Sequence, residues 1–144
     1  MRLTFEYGDY EEMEIVIRCN EDDPQLQTIL SLLQDRTAKL TCFKDKKIYL
    51  VTPYDLYYAE VVDGKTFVYL QAMVLETNHS LSELELQYKE SGLVRIGKSQ
   101  LVNLYQVAAL KSLPNSRIEI TLKNGEKLIA ARHYIQYLKE KIGM

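Results

Sequence analysis

The chain is poor in the residues that most directly announce chemistry. Cysteine occurs twice, as Cys19 and Cys42, with no metal-ligand spacing, which excludes a disulfide framework and a zinc motif. A free cysteine of this kind usually serves as a small buried hydrophobe. Histidine also occurs twice, as His79 and His133, each without nearby residues that would complete a ligand set or a nucleophile triad. Six glycines are scattered, and none forms a glycine-rich loop leading into a helix, so the phosphate-cradle signatures are missing. The paired acids Glu11-Glu12 and Asp22-Asp23 fall in turn-like stretches and read as solvated charge. No catalytic, metal or cofactor residue is therefore assigned, and an enzyme is not expected. No apolar run nears the ~18 residues of a membrane span. The start, Met1 to Cys19, is too acidic and interrupted for a secretory signal, so a cytoplasmic protein is expected.

What the chain does have is an uneven charge. Its 144 residues carry a net charge of −2. Four basic and nine acidic side chains in residues 1–40 give −5, and four against seven in 41–88 give −3. Ten against four in 89–144 give +6. A polyanion senses potential within roughly 8–10 Å at physiological salt, not the total. A basic last third on an acidic body is the kind of footprint a nucleic-acid binder leaves.

With 47% apolar residues the chain can build a core of its own. Its centre is Leu93 to Leu104, LVRIGKSQLVNL. Leu93, Val94 and Ile96 flank Arg95 as a short strand, and Gly97 breaks it by its backbone freedom. Lys98, Ser99 and Gln100 then form a polar, basic tip before Leu101, Val102 and Leu104 return to the core. Asn103 is expected to fix the turn rather than touch a ligand.

The remaining pattern is mainly β. Met13, Ile15 and Ile17 alternate with Glu14, Val16 and Arg18, which predicts a strand. Asp23 and Pro24 open a helix over 24–34, with Leu26, Ile29, Leu30 and Leu33 on one face. Short strands follow from Leu40 onward, with turns at Lys44–Lys47, Asp63-Gly64 and Asn124-Gly125. Ser80 with Glu83 starts a helix over 80–88, and Arg132 opens a last one over 132–142. Tyr49, Tyr54, Tyr57, Tyr58 and Tyr69 read as strand aromatics with one wet end. The expected fold is mainly β with short helices, an α+β chain. Residues 1–39 form an N-terminal strand–helix extension and residues 40–144 the main domain, closed by a C-terminal helix.

Three stretches in this order, IYLVTPYDLYYAEVVDGKTFVYL, LVRIGKSQLVNLYQVAAL and EITLKNGEKLIAAR leading into HYIQYLKEKIG, resemble the LytTR-type DNA-binding domain of bacterial response regulators. The resemblance runs from about Leu40 to Gly143, and SLSELELQ fits the short helix of that family. It implies stacked small β-sheets whose loops enter successive major grooves at repeated promoter sites. Carried over by position, it implies DNA contacts from Lys65 and Thr66, from Lys98 and Ser99, and from Arg132. Arg95 and Lys111 add phosphate attraction by charge alone. Gly97 stands where the family often has histidine, and Ala131 where it often has serine, so base preference is expected to differ. The absence of a receiver domain from this sequence implies a stand-alone transcriptional regulator. Such a regulator is expected to be restrained by a membrane-bound inhibitory partner, to contact RNA polymerase, and to bind DNA as a homodimer.

Two other functions compete. A protein-interaction module would dock a partner through the acidic first forty residues and the 24–34 helix. A small-molecule sensor would use the tyrosine-rich sheet.

Overall fold

Strand-forming alternation becomes a strand only where a neighbour completes its hydrogen bonds, and from Leu40 onward nearly every alternating stretch finds one. The computed structural model describes residues 1–37 and 39–143. The strands are β1 (Leu40–Lys44), β2 (Lys47–Val51), β3 (Tyr58–Val62), β4 (Lys65–Tyr69), β5 (Val74–Thr77), β6 (Leu93–Gly97) and β7 (Gln100–Asn103), followed by β8 (Val107–Leu113), β9 (Arg117–Leu122) and β10 (Lys127–Ala130). The helices are α1 (Pro24–Thr37), α2 (Leu81–Gln87) and α3 (Ile135–Ile142). A seven-stranded sheet runs in the order β2-β1-β5-β4-β3-β7-β6, and a three-stranded sheet in the order β10-β9-β8. Every paired neighbour is antiparallel. The expected mainly β architecture is the one observed.

Hairpin turns set these registers. Asp45 and Lys46, Asp63 and Gly64, and Asn115 and Ser116 each supply two successive positive φ angles. That is the signature of the tight turn whose twist matches antiparallel strands. Gly92 is a different case. Its φ is +90°, and a Cβ there would stand 2.6 Å from the Tyr105 ring, so both backbone and space require glycine.

Each face of the large sheet covers its own core. Leu40, Cys42, Leu56, Val68, Leu75 and Leu101 meet Leu81, Leu84 and Tyr88 of the α2 region. On the opposite face Tyr58, Val94, Ile96 and Val102 meet Ile118, Ile120 and Leu128 of the small sheet and Ile135 and Leu138 of α3. Each fully buried aliphatic side chain contributes about 1.5–3 kcal/mol relative to exposure. Asn103 is fully buried between them. Its amide donates to the carbonyls of Tyr54 (2.9 Å) and Leu56 (2.8 Å), and its oxygen accepts the Tyr105 N–H at 3.0 Å. The sequence-based role as a turn fixer holds, and the satisfied amide ties β7 to the segment before β3.

The first two expected helices form with their expected caps, whereas Arg132 opens a 3-10 turn (Arg132–Tyr134) and the last α-helix begins only at Ile135. Asp23 Oδ1 accepts the Gln25 N–H at 2.9 Å, and Ser80 Oγ accepts the Glu83 N–H at 3.1 Å. α1 lies near the 3-10 turn Lys89–Ser91, and its Leu26, Ile29, Leu30 and Leu33 are half-buried.

Two expectations are corrected. The predicted strand Met13–Arg18 does not form. Residues 1–20 are all exposed and adopt neither helix nor strand, because no strand lies alongside to take their hydrogen bonds. Gly97 is not needed for its backbone freedom either. It has no positive φ, and a Cβ there would meet nothing within 4 Å. Nor does Gly97 break the strand: β6 runs through it, with a register shift between Arg95 and Gly97 and Gly97 paired with Gln100.

Candidate nucleic-acid interface

Register fixes which loops meet at one end of the large sheet. β4 begins at Lys65, opposite Val62 at the end of β3. β3 also pairs with β7 through Glu60↔Gln100, and the Val61 N–H donates to the Ser99 carbonyl at 3.0 Å. The β3–β4 turn therefore lies beside the β6–β7 tip. Just past β10, the Ala131 N–H donates to the Ile96 carbonyl at 2.8 Å. The chain thus delivers Arg132 alongside the end of β6. Lys65, Lys98 and Arg132 line one end of the molecule. At about 4.8 Å per strand, the line from the start of β4 to Arg132 measures roughly 19 Å.

The middle of this line is held firmly. Arg95 spans from β6 to α2, with Nε 3.1 Å from Glu85 Oε2 and Nη1 donating to the Lys98 carbonyl at 2.9 Å. Gln100 Nε2 donates to Glu60 Oε2 at 2.7 Å. With both tip carbonyls engaged, the side chains of Lys98 and Ser99 face solvent from a fixed backbone. Arg132 and His133 are exposed as well, on a 3-10 turn (Arg132–Tyr134).

The six residues assigned from sequence divide in two. Lys65, Lys98, Ser99 and Arg132 are exposed at the common end. Thr66 is 7% exposed, in register between Val61 and Thr77, so its hydroxyl does not project from the surface. The Arg95 side chain is 17% exposed and occupied by Glu85 and the Lys98 carbonyl. Its guanidinium braces the tip instead of standing free for a phosphate.

Register also brings in a residue that reading along the chain passed over. β9 pairs Ile118 with Ala130 and Ile118 with Ser112, so Arg117 reaches the same end of the small sheet as Arg132. Its side chain is exposed. The Asn124-Gly125 hairpin was visible in the sequence, and counting register back through it would have found Arg117. Lys111 sits one step back, opposite Glu119.

Acidic groups at this end are mostly engaged. Glu76 lies 4.0 Å from Lys65, Glu85 pairs with Arg95, and Glu83 Oε2 is 3.0 Å from His79 Nδ1. Asp63 is exposed at the β3–β4 turn. Among the described residues, no ion pair within 4.0 Å engages Lys98 or Arg132.

Two of the sheet tyrosines, Tyr58 and Tyr69, pack in the core instead of lining this end. Tyr58 and Tyr69 stack on each other with centroids 4.0 Å apart, at the seam between the two sheets. Burial, then a hydrogen bond to Glu126 and its negative charge, pushes the Tyr58 phenol above its ordinary value. Burial does the same for Tyr69. These rings fill the core and offer no platform for bases.

The profile of the LytTr DNA-binding domain matches residues 46–143. The chain belongs to the LytTr DNA-binding domain family. One similar protein is an uncharacterized HTH-type transcriptional regulator of Staphylococcus aureus (strain NCTC 8325 / PS 47). It is 25% identical over 135 residues, covering 92% of this chain and 91% of that protein. Another is the sensory transduction protein LytT of Enterococcus faecalis, 24% identical over 100 residues. That match covers 69% of this chain but 41% of the Enterococcus protein. A solved LytTr DNA-binding domain, from a putative methyl-accepting/DNA response regulator of Bacillus cereus, shares the fold with a TM-score of 0.71. The likeness covers 75% of this chain and 99% of that domain at 22% identity. No two α-helices follow one another among the described residues, and Lys65, Lys98 and Arg132 project from a strand end and turns, not from a helix-turn-helix pair.

Proposed function

We propose that this chain is a transcriptional regulator that binds double-stranded DNA sequence-specifically, with the loops at one end of its large sheet entering the major groove. The observation that carries this reading is the alignment of Lys65, Lys98 and Arg132 along one end, around a tip held by Val61 and Arg95. A line of roughly 19 Å at strand spacing exceeds one major groove, about 12 Å wide. In this reading the Lys98-Ser99 tip enters a groove, while Lys65 and Arg132 reach its flanks or the next groove. Lys65 and Arg117 supply phosphate attraction, a term that makes affinity fall with salt. Lys98 and Arg132 pair with guanine edges, and Ser99 reads locally. Arg95 braces the tip from behind, and Thr66 packs within β4 between Val61 and Thr77.

Residues 40–144 are the DNA-binding part in this reading, and residues 1–39 an extension. Two copies occupy adjacent half-sites about one helical turn apart. Contacts with RNA polymerase or a membrane-bound inhibitory partner would add regulation, and no residue is assigned to them.

The test is duplex selection from a random pool, followed by Arg132→Ala and Lys98→Ala on the selected and random duplexes. Arg132→Ala is expected to weaken specific binding by about 1–3 kcal/mol while changing random-duplex binding far less. Equal loss on both duplexes would reduce Arg132 to a phosphate contact. Failure to select any duplex would overturn the proposal.

A further inference from the structure

We propose that residues 11–16 of one chain add a parallel strand to the open β2 edge of a second copy, in a reciprocal exchange that makes a dimer. β2 ends the large sheet, and its outer edge has no strand neighbour among the described residues. An open edge is a template for pairing. β2 also exposes two large aliphatic side chains on one face, Ile48 at 75% and Leu50 at 66%.

The same chain carries a matching segment without a partner. Met13, Ile15 and Val16 are 90%, 61% and 63% exposed, and the segment has strand periodicity without a strand. Charge selects its direction. The β1–β2 turn holds Lys44, Asp45, Lys46 and Lys47, whereas residues 1–20 hold five acidic and two basic side chains. A parallel alignment sets Glu11 and Glu12 beside Lys46 and Lys47, Met13 beside Ile48, Ile15 beside Leu50, and Val16 beside Val51. An antiparallel alignment brings Arg18 toward those lysines. β8, an end strand of the small sheet, offers Ala108, Ala109, Leu110 at 37% exposure and Lys111, and no comparable pair of large apolar side chains on one face.

A second copy is the occupant because each chain presents both halves of the contact. Arm onto edge, repeated about a two-fold axis, closes with no unpaired half. Backbone hydrogen bonds supply affinity and the alternate side chains supply register, as in other strand additions. The inference stands apart from the DNA reading, since the edge and the basic tips belong to different surfaces.

The test is sedimentation velocity of the full chain across a concentration series, with Ile15→Glu, Ile48→Glu and Val16→Pro. All three sites are exposed in the single chain, so unchanged circular dichroism and unchanged binding to a single-site duplex are expected. Each variant should raise the dimer dissociation constant about tenfold or more. In a Cys19→Ser background, chains carrying Ile15→Cys are then mixed with chains carrying Leu50→Cys under mild oxidation, and a covalent heterodimer is expected. A monomer at every concentration would overturn the inference, as would a dimer indifferent to all three variants. So would a doubly substituted chain that only closes on itself, which would mean that the arm covers its own edge.

Discussion

Met13–Arg18 and Arg117–Leu122 have nearly the same pattern on paper. Each sets aliphatic side chains at every second position over six residues, with polar or charged ones between them apart from Val16. The second is a central strand with ladders on both sides, and its Ile118, Ile120 and Leu122 are buried. The first is exposed throughout and unpaired. The difference lies in what adjoins them. Tight turns on either side of Arg117–Leu122 return neighbouring strands within a few residues. Met13–Arg18 is followed by a helix. Period-two patterning specifies a face, and the hydrogen bonds that make it a strand come from elsewhere.

The sharpest way to break this comparison is to truncate the same residue type in both places. Ile120→Ala should cost about 2–5 kcal/mol in urea unfolding, whereas Ile15→Ala in dilute protein should stay within about 0.5 kcal/mol. Comparable losses would mean that the arm packs on the body of the single chain. Asn103→Ala should cost about 1–3 kcal/mol, because it removes an amide that satisfies buried carbonyls. A neutral result would deny that β7 is tied to the segment before β3.

The two cysteines sharpen the contrast chemically. Cys19 is exposed in the arm, and Cys42 is buried in β1. A thiol reagent at neutral pH should modify Cys19 promptly and Cys42 only on unfolding. Burial pushes the Cys42 thiol up to about 11 from 9.0. A raised pKa favours the protonated folded state, so this contribution is complete below pH about 9 and falls as pH rises toward 11. Tyr58, raised by burial and then by Glu126, acts in the same direction at still higher pH. Stability measured from neutral to alkaline pH should decline over that window, and less steeply in Cys42→Ala.

The smallest expected effect is at the turn carrying Arg132. Ala131 occupies its cap position and makes no side-chain cap bond. Ala131→Ser should stabilise by about 0.5–1 kcal/mol if its hydroxyl caps the turn, read as a small rise in the unfolding midpoint.

Much of the body was legible because its signals are local. Asp63-Gly64 and Ser80 with Glu83 each fix a few neighbouring residues, and the turns and caps formed where they were expected. The site was legible only as a list of cations. The basic last third pointed to Lys98 and Arg132, whereas Lys65, from an acidic stretch, was named only through the family resemblance. Thr66 and Arg95 could not be sorted from them by residue type, because burial against Thr77 and capture by Glu85 arise from strands and helices far along the chain. Arg117 was missed for the converse reason, since its position depends on register through two hairpins.

By itself the sequence determined a mainly β chain, two helix caps, the tight turns and a basic last third, all legible over a few residues at a time. Tertiary structure alone decided which alternating segment found a ladder, which cation stayed free and which edge stayed open. Each of those depends on a partner that the chain supplies from a distance, and a backbone hydrogen bond or an ion pair exists only once that partner arrives.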